Sequence, residues 1–284
     1  MEYLTFEDHH FAFLDFIEKA FQEDMPDGDI TTDSLGLSHK VGKAKLVAKE
    51  DLVVSGLDLF KESFLYIDPD LAFRFHFTDG DKVLEGQIVA EIKGNLLSCL
   101  KAERTALNFL GMLSGIASLS RCYVDMTVGS RCKILDTRKT TPLYRQLSKK
   151  AVEDGGAQNH RQNLSDAVLI KENHIRAFGG NMAATIKQIR SCYAGPIEVE
   201  VTNLEEVKIA TKCGVERIML DNMSNEEIQE ALKIIPDNVE TEASGNMNLD
   251  RIASVAHLGV DYISVGALTH SAPVADFSLL FQWD

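Results

Sequence analysis

Arg138 and Lys139, Lys171, Glu200, Asp221, and Glu242 with Ser244 and Gly245 each stand at or just past the end of a short run rich in Val, Ile and Leu; Gly266 closes the last such run. Charged side chains within apolar runs are costly unless they are paired or bound to a ligand. A single one reads equally well as a structural ion pair. Recurrence once per unit points instead to a shared site. Lys139 and Lys171 suit phosphate oxygens, while Arg138 and Arg161 suit carboxylates held in bidentate fashion. Glu200 and Asp221 suit Mg2+ or ribose hydroxyls, because Mg2+ takes one or two carboxylates together with substrate phosphates. The turns Ser244-Gly245-Asn246 and Val265-Gly266-Ala267 follow the last two strands, where α/β barrels commonly hold a phosphate on backbone N–H groups. The chemistry implied is that of a small phosphoryl-bearing molecule.

Such residues must be positioned by strands and helices. The apolar runs 133–137, 167–171, 197–201, 217–221, 239–243 and 262–266 read as buried parallel strands alternating with amphipathic helices. Thr202 with Glu205, and Ser224 with Glu227, fit the S/T-x-x-E capping box at two helix starts. A full eight-stranded barrel usually takes roughly 250 residues. The repeating region is much shorter, so the expectation is an incomplete α/β barrel of six or seven strands. The earlier part of the chain differs. Phe11, Leu14, Ile17 and Phe21 share one helix face; strands follow at 43–49 and 73–77, turn chemistry at 79–86, and a long helix from about Ser98 to Met126. The predicted organisation is an α+β open sandwich domain over 1–115 and the incomplete barrel over 116–270, with the tail 271–284 packing back on the first domain.

Composition narrows the function. The chain has 284 residues, 45% of them hydrophobic, and a net charge of −14 from 29 Lys and Arg against 43 Asp and Glu, which argues against a nucleic-acid partner. Between Arg131 and Arg176, however, ten basic residues face five acidic ones, a basic island suited to a small polyanion. Five cysteines without C-x-x-C spacing argue against a disulfide framework or zinc site. His9-His10, His39, His76 and His257 also lack metal-ligand spacing. The N-terminal segment has no signal-peptide core, and the longest charge-free run, Thr105 to Ser120, is too short to span a membrane. A cytoplasmic protein is expected.

Several strings carry a family resemblance: Leu135-Asp-Thr-Arg-Lys-Thr-Thr-Pro142, Gly155-Gly-Ala-Gln-Asn-His-Arg161, Leu169-Ile-Lys-Glu-Asn-His174, Glu198-Val-Glu200, Met219-Leu-Asp-Asn222, Glu242-Ala-Ser-Gly245 and Ser264-Val-Gly-Ala-Leu-Thr-His270. With Gly28-Asp-Ile-Thr-Thr32 and Glu103-Arg-Thr-Ala-Leu-Asn108, the chain resembles the quinolinate phosphoribosyltransferases over nearly its whole length. The resemblance implies an N-terminal α/β sandwich, a seven-stranded α/β barrel, and a homodimer or a hexamer of dimers. It implies transfer of phosphoribose from phosphoribosyl pyrophosphate to quinolinate with Mg2+, giving nicotinate mononucleotide, pyrophosphate and CO2 for NAD biosynthesis. Carried over motif by motif, Arg138, His160, Arg161 and Lys171 would hold the quinolinate carboxylates, together with Arg104 of the partner subunit. Lys139, Glu200, Asp221, Ser244, Gly245, Asn246, Gly266 and His270 would surround the phosphoribosyl pyrophosphate, with Glu200 and Asp221 as metal ligands. Lys139, Lys171, Glu200 and Asp221 would carry the catalytic charge.

Three positions depart from the family pattern: Leu143 and Asn246 replace glycines, and Ala157 breaks a glycine run. A molybdenum-transport-associated relative sharing the barrel is disfavoured by the Asn-His-Arg and Ile-Lys-Glu-Asn-His strings. A Schiff-base aldolase using Lys171 is disfavoured by Arg138, Lys139 and Arg161 around it. A lipoyl-type carrier centred on Lys82 is disfavoured because that lysine reads as a solvated strand-edge charge.

Overall fold

The computed structural model describes residues 6–283, with side chains from Leu14 onward, and the chain divides into two compact units. One runs to Ser118 and resumes at Ala272; the other is Leu119–Ser271.

The first unit contains α1 (Phe6–Asp24), α2 (Ile30–Ser34), β1 (Val41–Ala48), β2 (Leu52–Val53), α3 (Leu57–Ile67), β3 (Ala72–Phe75), β4 (Lys82–Val83), β5 (Ile88–Asn95) and most of α4 (Leu96–Asp125). Strand β1 forms because its residues alternate: Ala44, Leu46 and Ala48 are buried while Lys43 faces solvent. It pairs antiparallel with β5 on one side and with the C-terminal strand Phe277–Trp283 on the other, and β3 completes the sheet beyond β5. Ile17 and Phe21 of α1 are buried, as are Leu59, Phe60 and Phe64 of α3. Phe64 meets the edge of Phe73, so α3 covers the aromatic face of β3. The expected contribution of Phe11, and the His9-His10 pair, lie outside the described side chains. Within α4, Gly115 lies so close to the returning chain that a Cβ there would stand 1.8 Å from the Pro273 carbonyl oxygen.

The second unit comprises β6 (Lys133–Leu135), α5 (Arg145–Asp154), β7 (Val168–Ile170), α6 (Glu172–Ala177), α7 (Met182–Cys192), β8 (Ile197–Val201), α8 (Leu204–Lys212), β9 (Arg217–Asp221), α9 (Asn225–Ile234), β10 (Glu240–Ser244), α10 (Leu249–Ala256), β11 (Tyr262–Ser264) and α11 (Ala267–His270). All six apolar runs are strands of one parallel sheet, ordered β6-β11-β10-β9-β8-β7. On the free edge of β6 a seventh position is reduced to a single bridge between Leu135 and Gln158. This is an incomplete α/β barrel.

The Ser224–Glu227 capping box is present: Ser224 Oγ accepts the Glu227 N–H at 3.2 Å, and Glu227 accepts the Ser224 N–H at 2.8 Å. The Thr202–Glu205 box is not. Asn203 caps α8 by accepting the Glu206 N–H at 3.0 Å, and Glu206 reaches back to the Thr202 amide. Starting the helix one residue later turns Val207 and Ala210 into the core, and that burial decides between two residues that both cap well.

Candidate active site

Residues an even number apart on a strand share a face. Glu198 and Glu200 of β8, and Glu242 and Ser244 of β10, two apart, and Arg217 and Asp221 of β9, four apart, are such pairs, and parallel register sets Glu198 beside Arg217 and Asp221 beside Ser244. The members nearer the strand ends line a cavity of about 890 Å3. That volume suits one or two small ligands. Of the deeper members, Glu198 is buried and Arg217 half-buried.

Every residue named from sequence in this unit reaches the cavity wall: Arg138, Lys139, His160, Arg161, Lys171, Glu200, Asp221, Ser244, Gly245, Asn246, Gly266 and His270. Arg104 does not; it is exposed on α4 in the other unit. Tyr123, Thr137, Asn222 and Ser264 also line the wall and were given no role from the sequence. Asn222 had a legible signal, since it follows a strand-end carboxylate and asparagine tolerates the left-handed conformation it adopts, φ 55°.

Lys171 caps the start of α6 and forms an ion pair with Glu200. Lys139 follows β6 on a turn closed by its N–H to Thr137 Oγ1 at 3.1 Å, and its carbonyl accepts from Thr269 Oγ1 at 2.8 Å. At Gly266 an added Cβ would meet Lys139 Cδ at 2.9 Å. The Asp221 carboxylate is oriented by a relay of amides: Asn246 Nδ2 donates to Asn222 Oδ1 at 3.1 Å, and Asn222 Nδ2 donates to Asp221 Oδ2 at 2.7 Å. Gly245, at φ 91°, lies against Asn222, and Arg251 fastens this turn through the carbonyls of Gly245 and Met223.

Elsewhere on the wall, Arg161 donates to the Ala167 carbonyl at 2.8 Å, and burial followed by the charge of Arg138 holds its guanidinium below the usual range. The Arg138 Nε is buried without a hydrogen-bond partner. Two crowded arginines suit a ligand with more than one negative charge.

Beneath them, His160 Nε2 lies 3.2 Å from Glu198 and 3.5 Å from Glu242, all three buried. Burial alone would lower the His160 imidazole, but hydrogen bonds and charge from the two glutamates outweigh it and lift it to about 9. The Arg161 N–H reaches His160 Nδ1 at 2.7 Å and favours the neutral ring; two buried carboxylates outweigh that one bond. Burial, then the charge of Glu242, pushes the Glu198 carboxyl up. Arg217 contacts Glu242 at 3.5 Å, binds Glu240 at 2.6 Å and stacks 4.3 Å from the Tyr262 ring centroid. The ligand atoms of His160, Glu198 and Glu242 fall within 4.8 Å of one another, a grouping that could also hold a metal ion. Arg217 already supplies positive charge there, as Lys171 does to Glu200; Glu200 and Asp221 are distinguished by facing the cavity, where a hard cation could reach them with a ligand phosphate.

A parallel barrel whose strand ends gather arginines, lysines and carboxylates around one cavity defines an α/β-barrel enzyme of small polyanionic substrates. Residues 29–114 match the N-terminal domain of quinolinate phosphoribosyl transferase and residues 116–280 its C-terminal domain. The chain belongs to the quinolinate phosphoribosyl transferase family. It is 41% identical to a probable nicotinate-nucleotide pyrophosphorylase (carboxylating) of Synechocystis, over 93% of this chain and 90% of that protein. It is 39% identical to quinolinate phosphoribosyltransferase (decarboxylating) 1b of Nicotiana tabacum, over 93% and 80% of the two chains. The crystal structure of NadC from Streptococcus pyogenes superposes with a TM-score of 0.93 at 40% identity, covering 100% of both chains.

Proposed function

We propose that the protein transfers the phosphoribosyl group of phosphoribosyl pyrophosphate to quinolinate with decarboxylation, giving nicotinate mononucleotide, pyrophosphate and CO2. One observation carries this reading: a single cavity joins Arg138, His160, Arg161 and Lys171 to Lys139, Asp221 and the Gly245 and Gly266 turns. The first set matches a dicarboxylate and the second a phosphorylated ribose.

The pyridine nitrogen attacks the ribose anomeric carbon, and the bond from that carbon to pyrophosphate breaks with its electron pair leaving on the phosphate. Arg138 and Arg161 fix the ring for this attack; Lys139 neutralises the departing anion; Glu200 and Asp221 face the positive charge that develops on the ribose. Ribosylation leaves the ring nitrogen cationic. The adjacent carbon–carboxylate bond then breaks, its electron pair stays on the ring carbon beside that cation, CO2 leaves, and the carbon takes up a proton. No side chain acts as a nucleophile. Glu200 and Asp221 fit a Mg2+ ion, two hard carboxylates beside the anion-binding turns, and the ion would supply charge neutralisation to the pyrophosphate. The working unit in this reading is a homodimer, in which Arg104 of the partner subunit completes the quinolinate pocket, and the compartment is the cytoplasm. Among the described residues, no helix is long and apolar enough to cross a membrane.

The test is turnover by the purified protein with phosphoribosyl pyrophosphate and Mg2+, offering quinolinate or nicotinate. Equal yields of mononucleotide and CO2 from quinolinate alone, abolished by EDTA and restored by Mg2+, are expected. Turnover of nicotinate without CO2 would refute the substrate; turnover in EDTA would refute the metal.

A further inference from the structure

Helix α5 carries two adjacent lysines with opposite fates. Lys150 is exposed and pairs with Asp154 one turn on, whereas the side chain of Lys149 is 1% exposed and that of its partner Asp136 is 0% exposed. Removing two charges from water costs several kcal/mol per ion after relaxation, and an apolar pair of similar volume is often as stable. Burial lowers the Lys149 ammonium and raises the Asp136 carboxyl, each held against that trend by the other. Asp136 Oδ2 remains buried without a hydrogen-bond partner. Packing alone does not account for so expensive an arrangement.

Its geometry does. Lys149 Nζ donates to Asp136 Oδ1 at 2.5 Å and to the His160 carbonyl at 2.8 Å, and the His160 N–H donates to the same Asp136 Oδ1 at 2.8 Å. The three bonds close a ring around the backbone of His160. Asp136 also stands directly before Thr137, Arg138 and Lys139. Along β6 the segment bearing His160 and Arg161 is held by the single bridge at Gln158, whose bonds are Gln158 N–H to the Ile134 carbonyl at 2.8 Å and Asp136 N–H to the Gln158 carbonyl at 3.0 Å. Beyond it, Arg161 reaches the Ala167 carbonyl, and Gln162 accepts from Arg145 and donates to Asp166, but of these bonds the Lys149–Asp136 pair alone ties the His160 backbone to the β6 side, where a seventh strand would supply a ladder.

We infer that Lys149 and Asp136 are positioning residues that clamp the His160–Arg161 segment to the Arg138–Lys139 turn, and so set the spacing of the cationic wall that receives the ligand carboxylates. The inference rests on the proposed function for the identity of that ligand. The clamp itself does not.

The decisive variant is the double substitution Asp136→Leu with Lys149→Met, which replaces the ion pair by an apolar pair and removes both side-chain bonds to the His160 backbone. A folded double variant is expected to raise the KM for quinolinate at least tenfold while the KM for phosphoribosyl pyrophosphate changes less than threefold. Lys150→Met, one residue along, is expected to leave both constants unchanged. A quinolinate KM within twofold of wild type, or equal rises in both constants, would overturn the inference. Should the apolar pair fail to fold, Asp136→Asn with Lys149→Met keeps an acceptor for the His160 N–H, and wild-type quinolinate KM in that variant would overturn it equally. Amide hydrogen exchange on the wild-type protein tests the clamp without reference to substrate. The His160 N–H is expected to exchange as slowly as the amides of β8, and rapid exchange would refute the clamp whatever the enzyme turns over.

Discussion

Replacing Glu242 by Gln removes one buried charge without opening a cavity, and its consequence can be worked from the distances around His160. The lift of His160 from 6.5 to about 9, at about 1.4 kcal/mol per pH unit, amounts to roughly 3 kcal/mol in favour of the imidazolium. Glu198 and Glu242 lie at 3.2 and 3.5 Å and together overcome a burial that works the other way, so their combined effect exceeds this net lift. Losing the Glu242 charge therefore withdraws at least about 1.5 kcal/mol, a drop of about one pH unit or more for His160. Two features limit the damage. Arg217 keeps Glu240 and the Tyr262 ring, so it is not orphaned, and Glu198, no longer pushed up by the Glu242 charge, ionises more readily and holds the imidazolium alone. Because the folded-state value lies above the unfolded one, the contribution of His160 to stability is complete below pH 6.5 and is lost as pH rises through about 9. Glu242→Gln should therefore be most destabilising below pH 6.5 and much less so above 9, where the His160 attraction is gone and the lost Glu242–Arg217 contact is offset by relief of the repulsion between Glu198 and Glu242. NMR titration of the His160 ring and thermal unfolding across pH read both quantities. A wild-type ring that titrates at or below 6.5, or a difference in Tm independent of pH, would refute the reasoning.

Lys171→Met should lower kcat/KM by about thirtyfold, roughly 2 kcal/mol, because it removes a cavity cation and leaves Glu200 without its partner; steady-state kinetics with both substrates checks it, and a change below threefold would exclude the role. Gly245→Ala would place a Cβ 2.2 Å from Asn222 Oδ1 at a φ of 91°. It should cost about 1–3 kcal/mol of stability and raise the KM for phosphoribosyl pyrophosphate through the displaced Asp221 relay. Gly115→Ala, whose Cβ would stand 1.8 Å from the Pro273 carbonyl oxygen, should cost a similar 1–3 kcal/mol in the first unit. Its effect is read as a fall in Tm, with kcat per folded molecule retained.

Much of this was legible in the sequence, and the part that was not has a physical reason. Runs such as Ile197-Glu-Val-Glu-Val201 name their own strands, because β-branched residues in short blocks have few other ways to be buried. Their ends then name the cavity. Depth is what the pattern withholds. Glu198 and Glu200 are chemically identical and share a face, yet one lies at the cavity wall and the other below it, because barrel depth is set by position along the strand. The same blindness separates Lys149 from Lys150. Helix α5 is strongly polar, so its buried face is set by Leu147, Ala151 and Val152, and nothing in the string shows that Lys149 joins them. The one-residue error at Thr202 is of another kind: two adjacent cap residues compete, and tertiary burial of Val207 selects between them.

The distribution of charge with depth explains how this site can exist before substrate arrives. Arg138, Lys139, Arg161 and Lys171 around one cavity repel each other, and a wall of cations alone would be pushed apart. Glu200 meets Lys171 directly, and the Glu198–Glu242 pair below places negative charge beneath the arginine wall while Arg217 keeps that pair from repelling itself. Carboxylates at or below the floor of the cavity offset this repulsion without capping the arginine faces a ligand needs. On the proposed reaction the Lys171–Glu200 pair serves twice. A ligand carboxylate that takes Lys171 as its partner frees the Glu200 charge toward the ribose at the stage when the ribose becomes cationic. Binding of one substrate then raises the stabilisation available to the transition state of the other, which is the differential binding that catalysis requires.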